Sequence, residues 1–150
     1  MGMLNVFKPR AGPSNDSTPS SKEKHHFKIV QLIRDIPPEK RAVVIGRAGT
    51  EVPGRWRLIP VSSVKGYFGP RELHRILEGI VEHLKANPPN VPIVIACPEY
   101  LAIYNGFESF IKFLHIVRDY AILTGGRVYL VTDPMAWDLK QMSLLRRLET

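Results

Sequence analysis

Pro92-Ile93-Val94-Ile95-Ala96-Cys97 is the stretch that decides the fold. It is a short apolar run rich in β-branched residues, set off on its N-terminal side by the helix-ending Asn87-Pro88-Pro89-Asn90. A strand that is apolar at every position has no face to offer water, so it belongs at the centre of a sheet covered on both sides. Upstream, Leu73, Ile76, Leu77, Ile80, Val81 and Leu84 share one stripe at helical spacing. This predicts a helix from about Pro70 to Ala86, with Pro70 as its first residue.

Further upstream, Arg41 to Arg47 (RAVVIGR) and Arg57 to Ser62 (RLIPVS) are apolar runs bounded by Gly and Pro, which suits two more buried strands. Downstream, Asn105 stands three residues before Glu108, an N-cap and capping-box arrangement that would open a helix running to about Leu123. That helix is apolar nearly all round, apart from Glu108, Lys112, His115 and Asp119. Gly125-Gly126 stops it, Arg127 to Thr132 (RVYLVT) reads as a strand, and Thr132-Asp133-Pro134 leads into a last helix ending near Leu148. Near the start, Phe27, Ile29, Val30 and Ile33 read as a short helix that Pro37-Pro38 ends. Strands alternating with helices across short connections give an α/β fold: a three-layer α/β/α sandwich with a mainly parallel sheet of four to five strands.

Residues 8–24, rich in Pro, Ser, Gly and charge, cannot offset their ordering entropy by burial. Residues 1–24 are therefore expected as a flexible tail, with Met3 to Phe7 either a short strand or an apolar anchor, and residues 25–150 as a single α/β domain. The only cysteine, Cys97, leaves no internal disulfide, which fits a reducing cytosol. No apolar run approaches the roughly 20 residues of a membrane helix, so no membrane insertion is expected and the cytoplasm is the expected location.

The formal charge of +7 is unevenly placed. Residues 28–75 carry ten basic and four acidic side chains, whereas residues 76–150 carry seven and eight. Within the basic stretch, Arg47, Arg55, Trp56, Arg57, Lys65 and Arg71 combine cations with an aromatic face, flanked by Arg41, Arg75, Tyr67 and Phe68. Such a mix suits single-stranded nucleic acid or another anion, and equally a protein interface or the solvated rim of a sheet.

Catalytic signatures are missing. Nucleotide hydrolysis needs a Gly-rich turn with Lys and Ser or Thr around the phosphates, and no GxxxxGK[ST] occurs; Gly12 to Lys22 lacks the second Gly and the spacing. No GxSxG elbow is present. His25-His26 diverge as neighbours, and His74 and His83 stand nine apart, so no histidine pair makes a metal clamp. Cys97 on a buried strand reads as a small core residue rather than a nucleophile. No catalytic, cofactor or metal residue is assigned.

Glu99-Tyr100-Leu101, Tyr104-Asn105-Gly106-Phe107-Glu108-Ser109, Lys112-Phe113-Leu114, Arg118-Asp119-Tyr120 and Asp133-Pro134 together form a long and specific string. With looser agreement upstream, roughly residues 25–148 resemble the archaeal domain-of-unknown-function family numbered 835. The resemblance implies an archaeal protein with a reduced, RecA-like fold, related to RecA and KaiC-like P-loop ATPases but without a phosphate loop. Family members often stand beside receiver or sensor domains, which implies signalling. Where the family commonly has Asp-Gly before the Glu-Tyr-Leu signature, this chain reads Ala96-Cys97, which weakens any inherited metal role.

Glu99 follows the central strand, at the usual ligand edge of an α/β sheet, and either serves a site there or caps and pairs locally. Asp133 fits an N-cap. Arg118 and Asp119, on an apolar helix, either pair with each other or face a partner. The candidate interaction residues are Glu99, Tyr100, Asn105, Arg118, Asp119 and Asp133. The expected function is a non-catalytic regulatory or protein-interaction module with a protein partner. The alternatives are nucleic-acid binding through the basic 41–75 region and a degenerate nucleotide-binding domain.

Overall fold

Five strands, Phe27–Val30 (β1), Val43–Arg47 (β2), Arg57–Val61 (β3), Ile93–Ile95 (β4) and Val128–Val131 (β5), form one sheet of order β1-β5-β4-β2-β3. Every neighbouring pair is parallel. The structure is a computed structural model and describes residues 25–86 and 90–150; the expected tail and the Met3 to Phe7 segment lie outside the described residues. The strand expected at the centre is there: Ile93, Val94 and Ile95 are at most 1% exposed and lie between β5 and β2.

The strand order dictates where the helices go. From β1 to β2 to β3 the chain steps toward one edge, and from β3 to β4 to β5 it steps back. Right-handed crossovers then send the first two connections over one face and the last two over the other. The returning connections carry the helices α1 (Leu73–Ala86), α2 (Pro98–Asn105) and α3 (Phe107–Thr124), and α4 (Leu139–Arg146) follows β5. All four contribute to one core, in which Ile80, Leu84, Leu101, Phe110, Leu114 and Leu145 pack on Phe27, Ile45, Ile95 and Leu130.

The opposite face carries no α-helix among the described residues. Its layer consists of the two outward connections, with Ile36, Trp56 and a 3-10 turn at Ile33–Asp35 packed on Val30, Val44, Val94 and Tyr129. Trp56 is buried and its Nε1–H donates to the Glu39 carbonyl at 3.1 Å. Glu39 in turn holds Arg127 through both carboxylate oxygens, at 2.5 and 3.2 Å, which raises the guanidinium pKa and ties this layer to the start of β5.

Three expected elements are corrected, the first being α1, which begins at Leu73 and not at Pro70. Phe27, Ile29 and Val30 belong to a strand, not a helix. Three apolar residues in four fit either period, and pairing with β5 decides for the strand, with Phe27 and Ile29 on the helical face and Lys28 in solvent. The last helix begins at Leu139 rather than Pro134, because the Asp138 side chain accepts from Gln141 N–H in a capping box of its own. Residues 134–136 form a separate 3-10 turn.

The free edge of β1 is covered by the segment after α4. Thr150 N–H donates to Phe27 O at 3.1 Å, the Thr150 hydroxyl accepts from His26 and Phe27 N–H, and the Glu149 carboxylate accepts from Ile29 N–H. Side chains here replace a neighbouring strand and shield a ladder that would otherwise be open to pairing.

Candidate functional site

In an open parallel sheet, the crevice for ligands forms at the carboxyl ends of two adjacent strands whose connections leave in opposite directions. Here those strands are β2, which leads outward, and β4, which leads back. The crevice is therefore bounded by Gly46 and Arg47 on one side and by Ala96, Cys97 and the start of α2 on the other.

The strand β4 passes almost directly into α2, with Pro98 in the first turn where its missing N–H has no consequence. Leu101 is wholly buried and orients the helix, which leaves Glu99, Tyr100 and Tyr104 along the edge of the sheet. Tyr100 and Tyr104, one turn apart, meet edge to face with centroids 5.0 Å apart. The Arg47 guanidinium lies over Tyr100 at 4.3 Å, and that of Arg71 over Tyr104 at 5.7 Å. A ladder of cation, ring, ring and cation thus lies across the mouth of the crevice.

Glu99 turns the other way. The Thr132 hydroxyl, at the end of β5, donates to Glu99 Oε2, and Trp137 Nε1–H donates to Thr132 Oγ1 at 2.8 Å. Thr132, 3% exposed, is the buried polar residue of the core among the described residues, and this chain satisfies it. Trp137 is held edge to face by Phe107 and parallel to Phe110, with centroids 5.7 and 6.2 Å away. Cys97 lies beneath with its thiol 3.8 Å from the Ile45 carbonyl. Burial, and then the Glu99 charge, push its pKa up to about 12, so the thiol is inert at neutral pH.

Asn105 does not cap the following helix. It ends α2, and its side-chain amide donates to Leu101 O at 2.8 Å and to Pro70 O at 2.7 Å. The bond to Pro70 anchors the loop that carries Arg71 beside Tyr104. The N-cap of α3 is Gly106 at φ 83°, a conformation open to glycine, which lets the two helices meet at a sharp corner. The Asp133 carboxylate does act as a local cap, accepting from Met135 N–H at 2.9 Å.

The carboxyl edge therefore gathers Glu99, Tyr100, Asn105 and Asp133 together with Arg47 and Arg71. It does not gather the rest. Arg118 and Asp119 lie in the later part of α3, about 16 Å along the helix from its start; their groups are 3.9 Å apart, and Arg118 Nε is buried without a hydrogen-bond partner. Arg55 and Arg57 lie at the opposite, amino end of the sheet with Arg41, and Lys65 is exposed in the connection between β3 and α1. Trp56, expected as a stacking face, belongs to the core instead.

Tyr104, Thr132 and Trp137 are not among the candidate site residues read from the sequence. The spacing of Tyr100 and Tyr104 carries meaning only on a helix, and α2 has too mixed a pattern to announce itself. Among the described residues, no group of three His, Cys, Asp or Glu could hold a metal ion. Among the same residues, no helix is long and apolar enough to cross a membrane.

Among curated proteins, none matches the chain. Residues 20–148 match the family described as Protein of unknown function (DUF835), a span that takes in every strand and helix of the fold. The matched span includes Glu99, Tyr100, Asn105 and Asp133 at the carboxyl edge as well as Arg47 and Arg71, and the chain belongs to the DUF835 family.

Proposed function

We propose that this chain is a non-catalytic interaction module of an archaeal, cytoplasmic signalling protein, a RecA-like domain whose ligand edge contacts a protein partner. One observation carries the reading: the chain's own side chains engage one another across the mouth of the crevice at the switch point. Arg47 and Tyr100 lie over its mouth, while the Glu99 carboxylate is engaged by Thr132. What this edge offers outward is Tyr104 and Arg71, residue types that supply much of the binding energy at protein interfaces. Exposed Ile103 on α2 and exposed Met135 and Leu139 beyond β5 add apolar area near the same edge.

The nucleic-acid reading draws on the same ladder, because stacked rings with guanidinium groups also suit a single strand. Dispersal of the other basic residues to the amino edge and to the connection after β3 supports the protein partner instead. A degenerate nucleotide site is the least supported reading, since the chain carries no phosphate-binding Gly-rich loop with Lys and Ser or Thr.

The deciding experiment is quantitative capture by the full chain and by the double variant Arg71→Ala/Tyr104→Ala. A protein retained in stoichiometric amount by the wild type and lost by the variant is expected. Capture that the variant leaves unchanged refutes the reading. Salt-sensitive retention of single-stranded RNA or DNA in a gel shift, lost in the same variant, would transfer the edge to nucleic acid. Stabilisation of the melting temperature by ATP or GTP would revive the nucleotide site.

A further inference from the structure

The amino end of the sheet is built differently from the carboxyl end. Under α1, where it crosses β2 and the edge strand β3, a cavity of about 370 Å³ is lined by Ile45, Ile59, Phe68, Ile76, Ile80 and Ile93. Its volume lies in the range of sites for small molecules. Gly79 keeps it open: a Cβ built there would meet only Phe68 Cζ, at 3.9 Å. Val43, Arg57 and His83 line both this cavity and an adjoining recess of about 210 Å³, to which Arg41 and Arg55 also contribute.

Arg41, Arg55 and Arg57 form no ion pair with the described residues. Three guanidinium groups around one recess repel one another, and an anion placed between them relieves that repulsion. One carboxylate, Glu82, lines the apolar cavity, and His83 Nε2 lies 2.9 Å from the Val91 carbonyl. The lining as a whole is apolar inside and cationic at the mouth.

We propose that this cleft binds a small amphipathic anion, a carboxylate or phosphate carrying an aliphatic or aromatic body. The body occupies the cavity against Ile59, Phe68 and Ile76, and the head group lies between Arg41, Arg55 and Arg57. This site is separate from the carboxyl-edge surface and does not depend on the reading given to it.

Isothermal titration of the full chain with decanoate, decyl phosphate and decanol, each below its micellar concentration, tests the site. Saturable one-to-one binding of at least one of the anions is expected, at least tenfold tighter than decanol, and the tighter anion identifies the head group. Gly79→Leu should fill the cavity and abolish binding while leaving the melting temperature equal or raised, because a glycine in a helix is replaced by a better helix former. Arg55→Ala/Arg57→Ala, at exposed positions outside the core, should weaken the anions at least tenfold and leave decanol unchanged. Absence of saturable binding by both anions overturns the proposal, as does equal affinity for decanol. Undiminished affinity in the double arginine variant overturns it also, and that arm decides the matter should Gly79→Leu fail to fold.

Discussion

Thr132→Val tests the hydrogen-bonded chain at the carboxyl edge directly. The substitution keeps the side-chain shape and removes one hydroxyl, which donates to Glu99 and accepts from Trp137 Nε1–H. A hydrogen bond to a charged group contributes about 1.5–3 kcal/mol, and one between neutral groups about 0.5–1.5. Glu99 is only half-buried and recovers water when its partner goes, whereas Trp137 Nε1–H stays partly enclosed. The expected cost is therefore about 1.5–3 kcal/mol, or roughly 3–12 °C in melting temperature for a chain of this size. Urea unfolding followed by tryptophan fluorescence reads it, with an unchanged m value as the sign that the native state keeps its compactness. Trp137→Phe removes the indole N–H while keeping a ring against Phe107 and Phe110, and it acts on the same chain of bonds. The double variant should accordingly cost less than the sum of the singles by at least about 0.5 kcal/mol. A loss below about 0.5 kcal/mol for Thr132→Val, or strict additivity in the cycle, refutes the view that these groups hold the edge as a unit.

Three further outcomes follow from other parts of the fold. Cys97 titrates ordinarily at 9.0 and in the folded core at about 12, so between those values the native state keeps a proton that the unfolded chain has released. Stability is then complete below pH 9 and falls by up to about 1.4 kcal/mol per pH unit above it; urea titrations at pH 8 and 10 should show the fall, and Cys97→Ala should reduce it. The Tyr129 phenol, raised above its ordinary 10.0 by burial, adds the same sign at higher pH. Gly126→Ala places a Cβ 2.6 Å from Leu84 Cδ2 and should cost about 1–3 kcal/mol, with Leu84→Ala relieving part of the clash in the double variant. Arg71→Ala and Tyr104→Ala, at exposed positions, should each change stability by less than about 1 kcal/mol, and a larger loss in thermal unfolding would make the ladder a structural brace rather than a contact surface.

The sequence announces those elements whose pattern is enforced by burial on one side or on all sides. The central run Ile93–Ile95 and the stripe on α1 are of this kind, and both stand where the pattern places them. The β1 strand is legible only as apolar, since four residues cannot distinguish a period of two from one of 3.6, and its partner β5 lies about a hundred residues away. Trp56 shows a different limit. Its neighbours Arg55 and Arg57 are exposed, so the local string reads as a basic and aromatic surface, yet the ring turns into the layer beneath the sheet. Charge along a strand end says where the backbone meets water and little about the side chain between. The Glu99 to Trp137 chain joins residues from three separate segments, and no local pattern carries it.

The contrast between the two ends of the sheet follows from the connections. The β1 to β2 and β2 to β3 links carry no α-helix, so helical cover among the described residues comes from the links that step back toward β1 and from α4 after β5. On the carboxyl side the chain turns at once from β4 into α2, which brings Tyr100 and Tyr104 to the switch point. On the amino side α1 is the last helix before the sheet edge, and among the described residues no further helix lies beyond it to complete the cover of β3. Ile59 and Phe68 are left partly buried, and Gly79 adds no side chain to fill the gap. At the carboxyl edge, where a parallel α/β sheet usually takes its ligand, Arg47 and Tyr100 lie over the switch point, while under α1 there is an open cavity of about 370 Å³ with arginines at its mouth that form no ion pair among the described residues.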